Sequence, residues 1–173
     1  MKRKVLLMSM VLFCTLATTV TAQKFALIDM EYILKNIPAY EMTNEQLNQL
    51  SEKWEAEYKK LEQEAQTMYK NYQSDLVFLS EEMKSKRQDD IIKKEQEAME
   101  LKRKYFGADG ELYKKREQLM KPIQDEIYDA CKAVATEKGY QVIVDRSSAM
   151  SIIFASPQID VSAEVLQKLG YSK

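Results

Sequence analysis

A repeating apolar pattern dominates the middle of the chain. From Leu47 to Tyr72 apolar residues recur every three or four positions, and residues 41–79 contain neither glycine nor proline. Beyond a four-four stutter around Trp54, the spacing alternates between four and three, which is the period of a coiled-coil seam. A helix over this stretch would be roughly 60 Å long at about 1.5 Å per residue. It must therefore pair with another element or project into water.

A second apolar stripe follows and repeats every seven residues. It consists of adjacent apolar pairs, namely Ile91-Ile92, Ala98-Met99, Tyr105-Phe106, Leu112-Tyr113 and Leu119-Met120. Such a repeat drifts by about 20° per heptad on a straight helix, so it predicts a second long helix that winds left-handed around the first. Between the two stripes lies the apolar cluster Leu76-Val77-Phe78-Leu79, which is followed by Ser80, a residue suited to an N-cap. We therefore predict a helical hairpin with its tip near residues 77–80.

Three residues interrupt the second helix. Gly107 and Gly110 are each about 1 kcal/mol less favourable than alanine in a helix interior. They mark either a weak spot with close helix approach or a hinge that lets the distal arm flex. We favour the hinge, because two of the chain's four glycines fall within four residues. Pro122 removes one more backbone hydrogen bond and predicts a kink.

The two ends of the chain predict a small sheet. Residues 25–30 form a short apolar run that reads as a strand. Gly139 predicts the end of the long helix, and residues 140–155 are rich in β-branched side chains and predict a β-hairpin. The fold class is thus α+β and mostly α, with a long helical hairpin rooted in a small β body.

A last short helix, capped by Asp160 or Ser162, is expected to close the chain. Even with this helix the core remains small, and an isolated hairpin is only marginally stable in water. Burial of the sheet face and of the helix roots therefore predicts association with other copies of the chain.

The first 22 residues read as a secretory signal peptide. A basic start precedes an apolar stretch, and Val20-Thr21-Ala22 offers a cleavage site. A lipoprotein signal around Cys14 is the weaker alternative, because Phe13 precedes the cysteine. Removal of the three basic residues of this segment leaves 23 Lys and Arg against 27 Asp and Glu, a net charge of −4. That charge argues against nucleic acid as a ligand.

The composition provides few candidates for catalytic or metal-binding residues. The chain has no histidine, which excludes imidazole bases and His-containing metal sites. Asp29 and Asp145 lie at the ends of predicted strands, but no nucleophile or phosphate loop accompanies them, so we interpret them as structural. Cys131, the one cysteine left after cleavage, falls on an apolar helix face and reads as a small core residue. We expect no enzyme activity, cofactor or metal.

The chain has ten methionines and ten tyrosines, and on the arm Tyr69, Tyr72, Phe78, Met83 and Tyr105 exceed what a two-helix seam can hide. Exposed apolar surface on a secreted protein usually marks a binding surface. The expected contacts for a partner on the arm are Tyr69, Tyr72, Leu76, Phe78, Met83 and Tyr105.

The whole mature chain resembles the Skp/OmpH family of periplasmic chaperones for outer-membrane proteins, and motifs at both ends carry the resemblance. The N-terminal resemblance covers Phe25-Ala26-Leu27-Ile28-Asp29-Met30, Ile33-Leu34 and Ile37-Pro38-Ala39-Tyr40. The C-terminal one covers Gly139-Tyr140, Val142-Ile143-Val144-Asp145, Phe154-Ala155, Pro157 and Asp160 to Gly170. These motifs are moderately specific, whereas any heptad protein shares the coiled-coil middle.

The resemblance implies a homotrimer that holds unfolded outer-membrane proteins between its arms without ATP. It implies a trimerisation body of residues 23–40 and 122–173, and an arm of residues 41–121. The candidate oligomer core is Phe25, Leu27, Val142, Ile143, Val144, Ile152 and Phe154. Well-known members of the family are basic, so the acidic mature chain argues against a lipopolysaccharide or membrane contact. The alternative is a structural coiled-coil spacer or adaptor of the envelope that binds no client.

Overall fold

The computed structural model of the protein describes residues 24–148 and 152–171. The expected signal peptide, residues 1–22, lies outside these ranges. The elements in chain order are β1 (Phe25–Ile28), α1 (Met30–Lys35), α2 (Pro38–Asp75), a 3₁₀ turn (Leu76–Phe78), α3 (Glu81–Phe106), α4 (Glu111–Lys138), β2 (Val142–Asp145), a second 3₁₀ turn (Pro157–Ile159) and α5 (Ser162–Lys168). Among the described helices, none has the length and apolar content needed to cross a membrane.

The helical hairpin predicted from the apolar stripes is present. Helix α2 packs against α3, and the α2 positions that face the seam include Tyr58, Ala65 and Tyr72, all buried. On α3 the first member of the pairs Ile91-Ile92 and Ala98-Met99 is buried and the second is exposed, whereas both members of the pair Tyr105-Phe106 are partly buried. The stripe therefore has a narrow buried edge, and part of its apolar surface remains in contact with solvent.

Local signals set the helix ends. Pro38 occupies the first turn of α2, where its missing N–H costs nothing. The hydroxyl of Ser80 accepts a hydrogen bond from the Met83 amide and caps α3 at the tip, as predicted. Gly139 ends α4 in the left-handed conformation at φ +74°, which glycine adopts without strain.

The helical segment that returns from the tip to the body is interrupted at the two glycines. Helix α3 ends at Phe106 and α4 begins at Glu111, so residues 107–110 separate two helices instead of bending one. A Cβ atom on Gly107 would lie 2.5 Å from the Arg103 carbonyl oxygen, and one on Gly110 would lie 2.7 Å from the Tyr105 carbonyl oxygen. Close backbone approach therefore demands glycine here. Helix α4, by contrast, continues through Pro122.

The sheet differs from the expected hairpin. Strand β1 pairs in parallel with β2, in the register Phe25 with Val142 and Leu27 with Val144. The other edge of β1 is occupied by the C-terminal segment, since the Val161 amide donates to the Leu27 carbonyl oxygen at 2.9 Å. The predicted strand at 151–154 is not formed by its described residues, 152–154, which lie outside any strand. The hairpin prediction is wrong there because β2 finds its partner at the opposite end of the chain.

A single core joins both chain ends at the root of the arm. Ala26 of β1, Ile33 of α1, Ile127 of α4 and Val165 of α5 belong to one buried cluster. Polar groups close the cluster at its edge, where Asp29 ends β1 and caps α1 by accepting from the Tyr32 amide. Strand β1 is thus shorter than the predicted run to residue 30, because the cap turns the chain into a helix.

Candidate functional site

The most exposed apolar side chains of the arm lie at its tip. Val77 is 88% and Phe78 is 86% exposed, both in the 3₁₀ turn at the tip. Tyr69 on α2 and Met83 on α3 are about half exposed, and Leu76, the first residue of the turn, is partly buried. Val77 and Phe78 are exposed because the turn reverses the chain at the end of the hairpin, where neither helix extends far enough to cover them.

Two of the expected contact residues are located differently. Tyr72 is buried in the seam, and its hydroxyl accepts a hydrogen bond from the Gln88 side-chain amide at 2.9 Å. This burial removes Tyr72 from the exposed contact set. The spacing of four from Met68 already placed it on the seam stripe, and the count of surplus aromatic residues misled the assignment.

Tyr105 is partly buried at the end of α3. Its ring stacks on Trp54 of α2 with a centroid distance of 4.7 Å and an interplanar angle of 5°. Its hydroxyl donates to the Glu57 carboxylate at 2.6 Å. This hydrogen bond, and then burial, raise the pKa of Tyr105. Tyr105 therefore connects the two helices just before the break and has little surface left for a partner.

The α2–α3 groove adds apolar surface that the sequence did not single out. Tyr69 and Met99 line it together with Ala65 and Ala98, and charged residues such as Lys59 and Glu95 form its rim. Met99 is the outward member of an apolar pair and is 63% exposed. The repeat of adjacent pairs is the signal that could have identified it, because in the pair Ala98-Met99, as in Ile91-Ile92, only the first member is buried in the seam.

The outer face of the sheet is the second apolar surface. Phe25, Val142 and Val144 share this face, since side chains alternate along a strand, and all three are exposed. Ile153 and Phe154, beyond the sheet, are also exposed. Ile152 is partly so.

Two residues of the candidate oligomer core are located inside the single chain. Ile143 pairs with Ala26 on the inner face and packs against the chain's own core. Leu27 is buried. The surface left for another copy is therefore the outer face and the segment after it, without these two residues.

A polar cluster surrounds Arg146 at the carboxyl end of β2. Its guanidinium forms ion pairs of 3.1 Å with both Asp29 and Asp160. The hydrogen bond from the Tyr32 amide, with help from Arg146, lowers the pKa of Asp29. These groups tie together residues far apart in the sequence, which supports the structural interpretation of Asp29.

Asp145 has its own set of donors. It accepts hydrogen bonds from the Met30 amide and from both the amide and hydroxyl of Ser147. Burial acts to raise the pKa of Asp145, but hydrogen bonds led by the one from the Ser147 hydroxyl lower it overall. Asp145 therefore acts as a turn and cap residue, which again supports a structural role.

The described residues offer no metal site. Within residues 24–148 and 152–171, no group of three or more Cys, Asp or Glu side chains is arranged to hold a metal ion. Cys131 is half-buried beside the core, and burial raises the pKa of its thiol. It therefore fits the expected small hydrophobic residue.

Comparison with known families gives a direct match over most of the chain. Residues 24–169 match the family model described as outer membrane protein (OmpH-like). The chain belongs to this OmpH-like family. The match covers both ends that build the body and the arm between them.

The relatives of this OmpH-like chain are chaperones. It is 27% identical to "Chaperone protein Skp" of Yersinia enterocolitica over 98% of this chain and 99% of that protein. It is 26% identical to "Chaperone protein Skp" of Pectobacterium atrosepticum over 88% and 89% of the two chains. These matches support a chaperone role and agree with the expectation that the protein is not an enzyme.

The fold also has a solved counterpart. A crystal structure of an OmpH-like outer membrane chaperone from Caulobacter crescentus matches with a TM-score of 0.66 at 11% identity, over 86% of this chain and 85% of that one. The predicted fold class, a long helical hairpin on a small β body, is thereby confirmed.

Proposed function

We propose that this OmpH-like protein is an ATP-independent periplasmic holdase that binds unfolded outer-membrane β-barrel proteins and prevents their aggregation. In this proposal three copies associate through a body made of residues 23–40 and 122–173. Residues 41–121 of each copy form an arm, and the client is held between the arms. The single observation that carries the proposal is the exposed apolar surface along a projecting hairpin whose root is well packed.

The arm suits a client without fixed structure. Val77, Phe78 and Met83 supply apolar contacts at the tip, and Tyr69 with Met99 supplies them along the groove. Methionine adapts to irregular partners, and tyrosine offers a large contact area with little rotamer entropy to lose. Such contacts tolerate many different segments, which is what a holdase requires.

The outer face of the sheet supports association between copies. Phe25, Val142 and Val144 together form an apolar patch on a two-stranded sheet, which is too small to be stable with one face in water. Another copy that covers this patch would remove it from solvent. It would also bring several arms to one side of the body.

The charge of the chain bears on what the arms would not bind. The expected mature net charge of −4 gives no general attraction to lipopolysaccharide or to an anionic membrane. We therefore propose client holding through apolar contact and confinement, with little help from long-range electrostatics.

The alternative function is a structural coiled-coil spacer. Polar contacts across the seam favour a rigid rod: Arg87 pairs with Asp75 at 2.8 Å, and Lys94 approaches Glu64 at 3.7 Å. A spacer, however, gains nothing from the exposed tip at Phe78. The two functions differ in whether the chain suppresses aggregation.

The test uses residues 23–173 and a urea-unfolded outer-membrane β-barrel. The barrel is diluted into buffer with and without the chain, with no nucleotide, and light scattering is followed. We expect suppression near three chains per client with a soluble complex. The double variant Val77→Ser/Phe78→Ser should weaken suppression, whereas Tyr32→Ser, which removes an exposed ring from the body, should not. Unchanged aggregation with the folded wild-type chain would favour the spacer.

A further inference from the structure

At the level of the two glycines, only one of the two helical segments of the arm is continuous. Helix α2 runs unbroken from Pro38 to Asp75, while residues 107–110 separate α3 from α4. Helix α4 is fixed in the body through Ile123 and Ile127. The contacts that keep residues 107–110 non-helical therefore set the position of α3 relative to the root of the arm.

The apolar repeat passes through the break without losing phase. The pair Tyr105-Phe106 lies before the break and Leu112-Tyr113 lies after it, seven residues apart, as are all the other pairs of the stripe. In an uninterrupted helix these two pairs would share one face, with a drift of about 20°. The sequence therefore keeps the pattern of a continuous helix over a segment that the structure shows as two.

A group of side chains fixes the present arrangement. Trp54 and Glu57 of α2, with Tyr105 of α3, form a set that we name the latch, made of the ring stack and the 2.6 Å hydrogen bond described above. Beside it, the Phe106 ring meets Tyr58 edge-on at 5.8 Å. All of these contacts join α2 to the last turn of α3, directly before the break.

The latch cannot survive unchanged if residues 107–110 wind into helix. Helical winding would change both the distance and the rotation between α3 and α4. Because α4 is rooted in the body, α3 would have to shift along α2 or turn about its own axis. The seam tolerates a one-turn shift, since its apolar residues repeat every three or four positions and would meet equivalent partners. The latch residues, by contrast, would lose their present stack and hydrogen bond.

We propose that the arm is a two-state element, in which the Trp54–Tyr105–Glu57 latch holds a broken helix and opening of the latch allows one continuous helix from 81 to 138. The glycines set the balance between the two states. In the broken state each glycine permits a backbone approach that a Cβ atom would block. In the continuous state each would be an unfavourable interior residue.

The role of this device in holding clients rests on the proposed function, since two arm states would give cavities of two shapes. The existence of the two states does not rest on it. The measurements below therefore use residues 23–173 without any client, so that their failure would be distinct from a failure of the holdase proposal.

Amide hydrogen exchange reports on the break directly. The first amides of a helix lack intrahelical acceptors, so those of Glu111 and Leu112 are unprotected by α4 in the broken state. In a continuous helix they would bond to carbonyl oxygens four residues earlier. The double variant Gly107→Ala/Gly110→Ala favours the continuous helix, and we expect exchange at these two amides to slow at least tenfold.

Trp54 gives an independent signal, because it is the only tryptophan of the chain. We expect its emission to shift in the glycine double variant as the stack with Tyr105 is lost. Tyr105→Leu, which removes both latch contacts, should slow exchange at Glu111 and Leu112. Tyr105→Phe keeps the ring and loses only the hydrogen bond, so its effect should be smaller.

Two results would overturn the proposal. One is a glycine double variant that is folded by circular dichroism and exchanges Glu111 and Leu112 at the wild-type rate. The other applies even if that variant does not fold: Tyr105→Leu changes Trp54 emission but leaves the exchange of both amides unchanged. In that case the latch would not control the break.

Discussion

Replacement of Ile127 by alanine tests whether the two chain ends share one core. Ile127 lies on α4, is 1% exposed, and belongs to a buried cluster supplied also by β1, α1 and α5. The substitution removes the Cγ1, Cγ2 and Cδ1 atoms and leaves a cavity among residues that come from both ends of the sequence. Its cost therefore measures how tightly those ends are packed together.

The size of the effect follows from this packing. Ile-to-Ala substitutions in buried sites cost about 2–5 kcal/mol, including the cavity term. The better helix propensity of alanine offsets about 0.4 kcal/mol of this loss in the free energy of unfolding. We expect a net loss of about 3 kcal/mol, which for a chain of this size corresponds to a fall in Tm of about 6–12 °C.

Urea unfolding followed by far-UV circular dichroism measures the loss. Protein concentration is held fixed, because self-association would make apparent stability depend on it. The control is Tyr128→Ala on the next position of the same helix, where the side chain is 67% exposed and a change within about 0.5 kcal/mol is expected. A loss below about 1 kcal/mol for Ile127→Ala, with an unchanged m value, would refute the shared core.

Three further outcomes are expected. Val142→Asp should reduce the oligomer in sedimentation while each chain stays helical, whereas Ile143→Asp should unfold the body; the reverse ranking would contradict the assignment of the two faces. Acid should lower the urea midpoint. The pKa values of Asp29 and Asp145 lie below their ordinary value of 3.8 in the folded chain, so their contribution is present above that value and is lost as the pH falls through the lowered pKa; a midpoint that rises on acidification would oppose this. Client affinity should change little between low and high salt, and a steep loss in titrations would show that electrostatics dominates holding.

Local signals made much of the fold predictable. Ser80 caps the helix that follows the tip, and Gly139 ends α4 in the left-handed conformation. Both features depend on a few adjacent residues. The seam was equally accessible, because a period of 3.5 residues defines one helix face without knowledge of the partner.

The pairing of strands from distant parts of the chain could not be predicted from the pattern of apolar residues. The run Ile152-Ile153-Phe154 has the composition of a strand, but a strand needs a partner, and β2 pairs instead with β1 from the other end of the chain. A propensity cannot distinguish these two partners. The burial of Tyr72 also depends on the partner helix, since the side-chain amide of Gln88 on α3 donates a hydrogen bond to its hydroxyl.

The glycines illustrate a finer limit. Their low helix propensity was evident, yet that property alone does not separate a hinge within one helix from a complete break. The break depends on the backbone atoms of Arg103 and Tyr105, which approach too closely for any side chain. Such a steric requirement becomes visible only in three dimensions.

The pairing of β1 with β2 has a consequence for the order of folding. Phe25 and Val142 are register partners although more than a hundred residues separate them, so β1 is synthesised long before its partner exists. Closing so large a loop directly would be slow. The arm shortens that path, because its hairpin can form from local contacts and return the chain to its starting point. We therefore expect the arm to act as a scaffold for the body during folding, and a variant that weakens the seam should slow formation of the sheet even though no arm residue belongs to it.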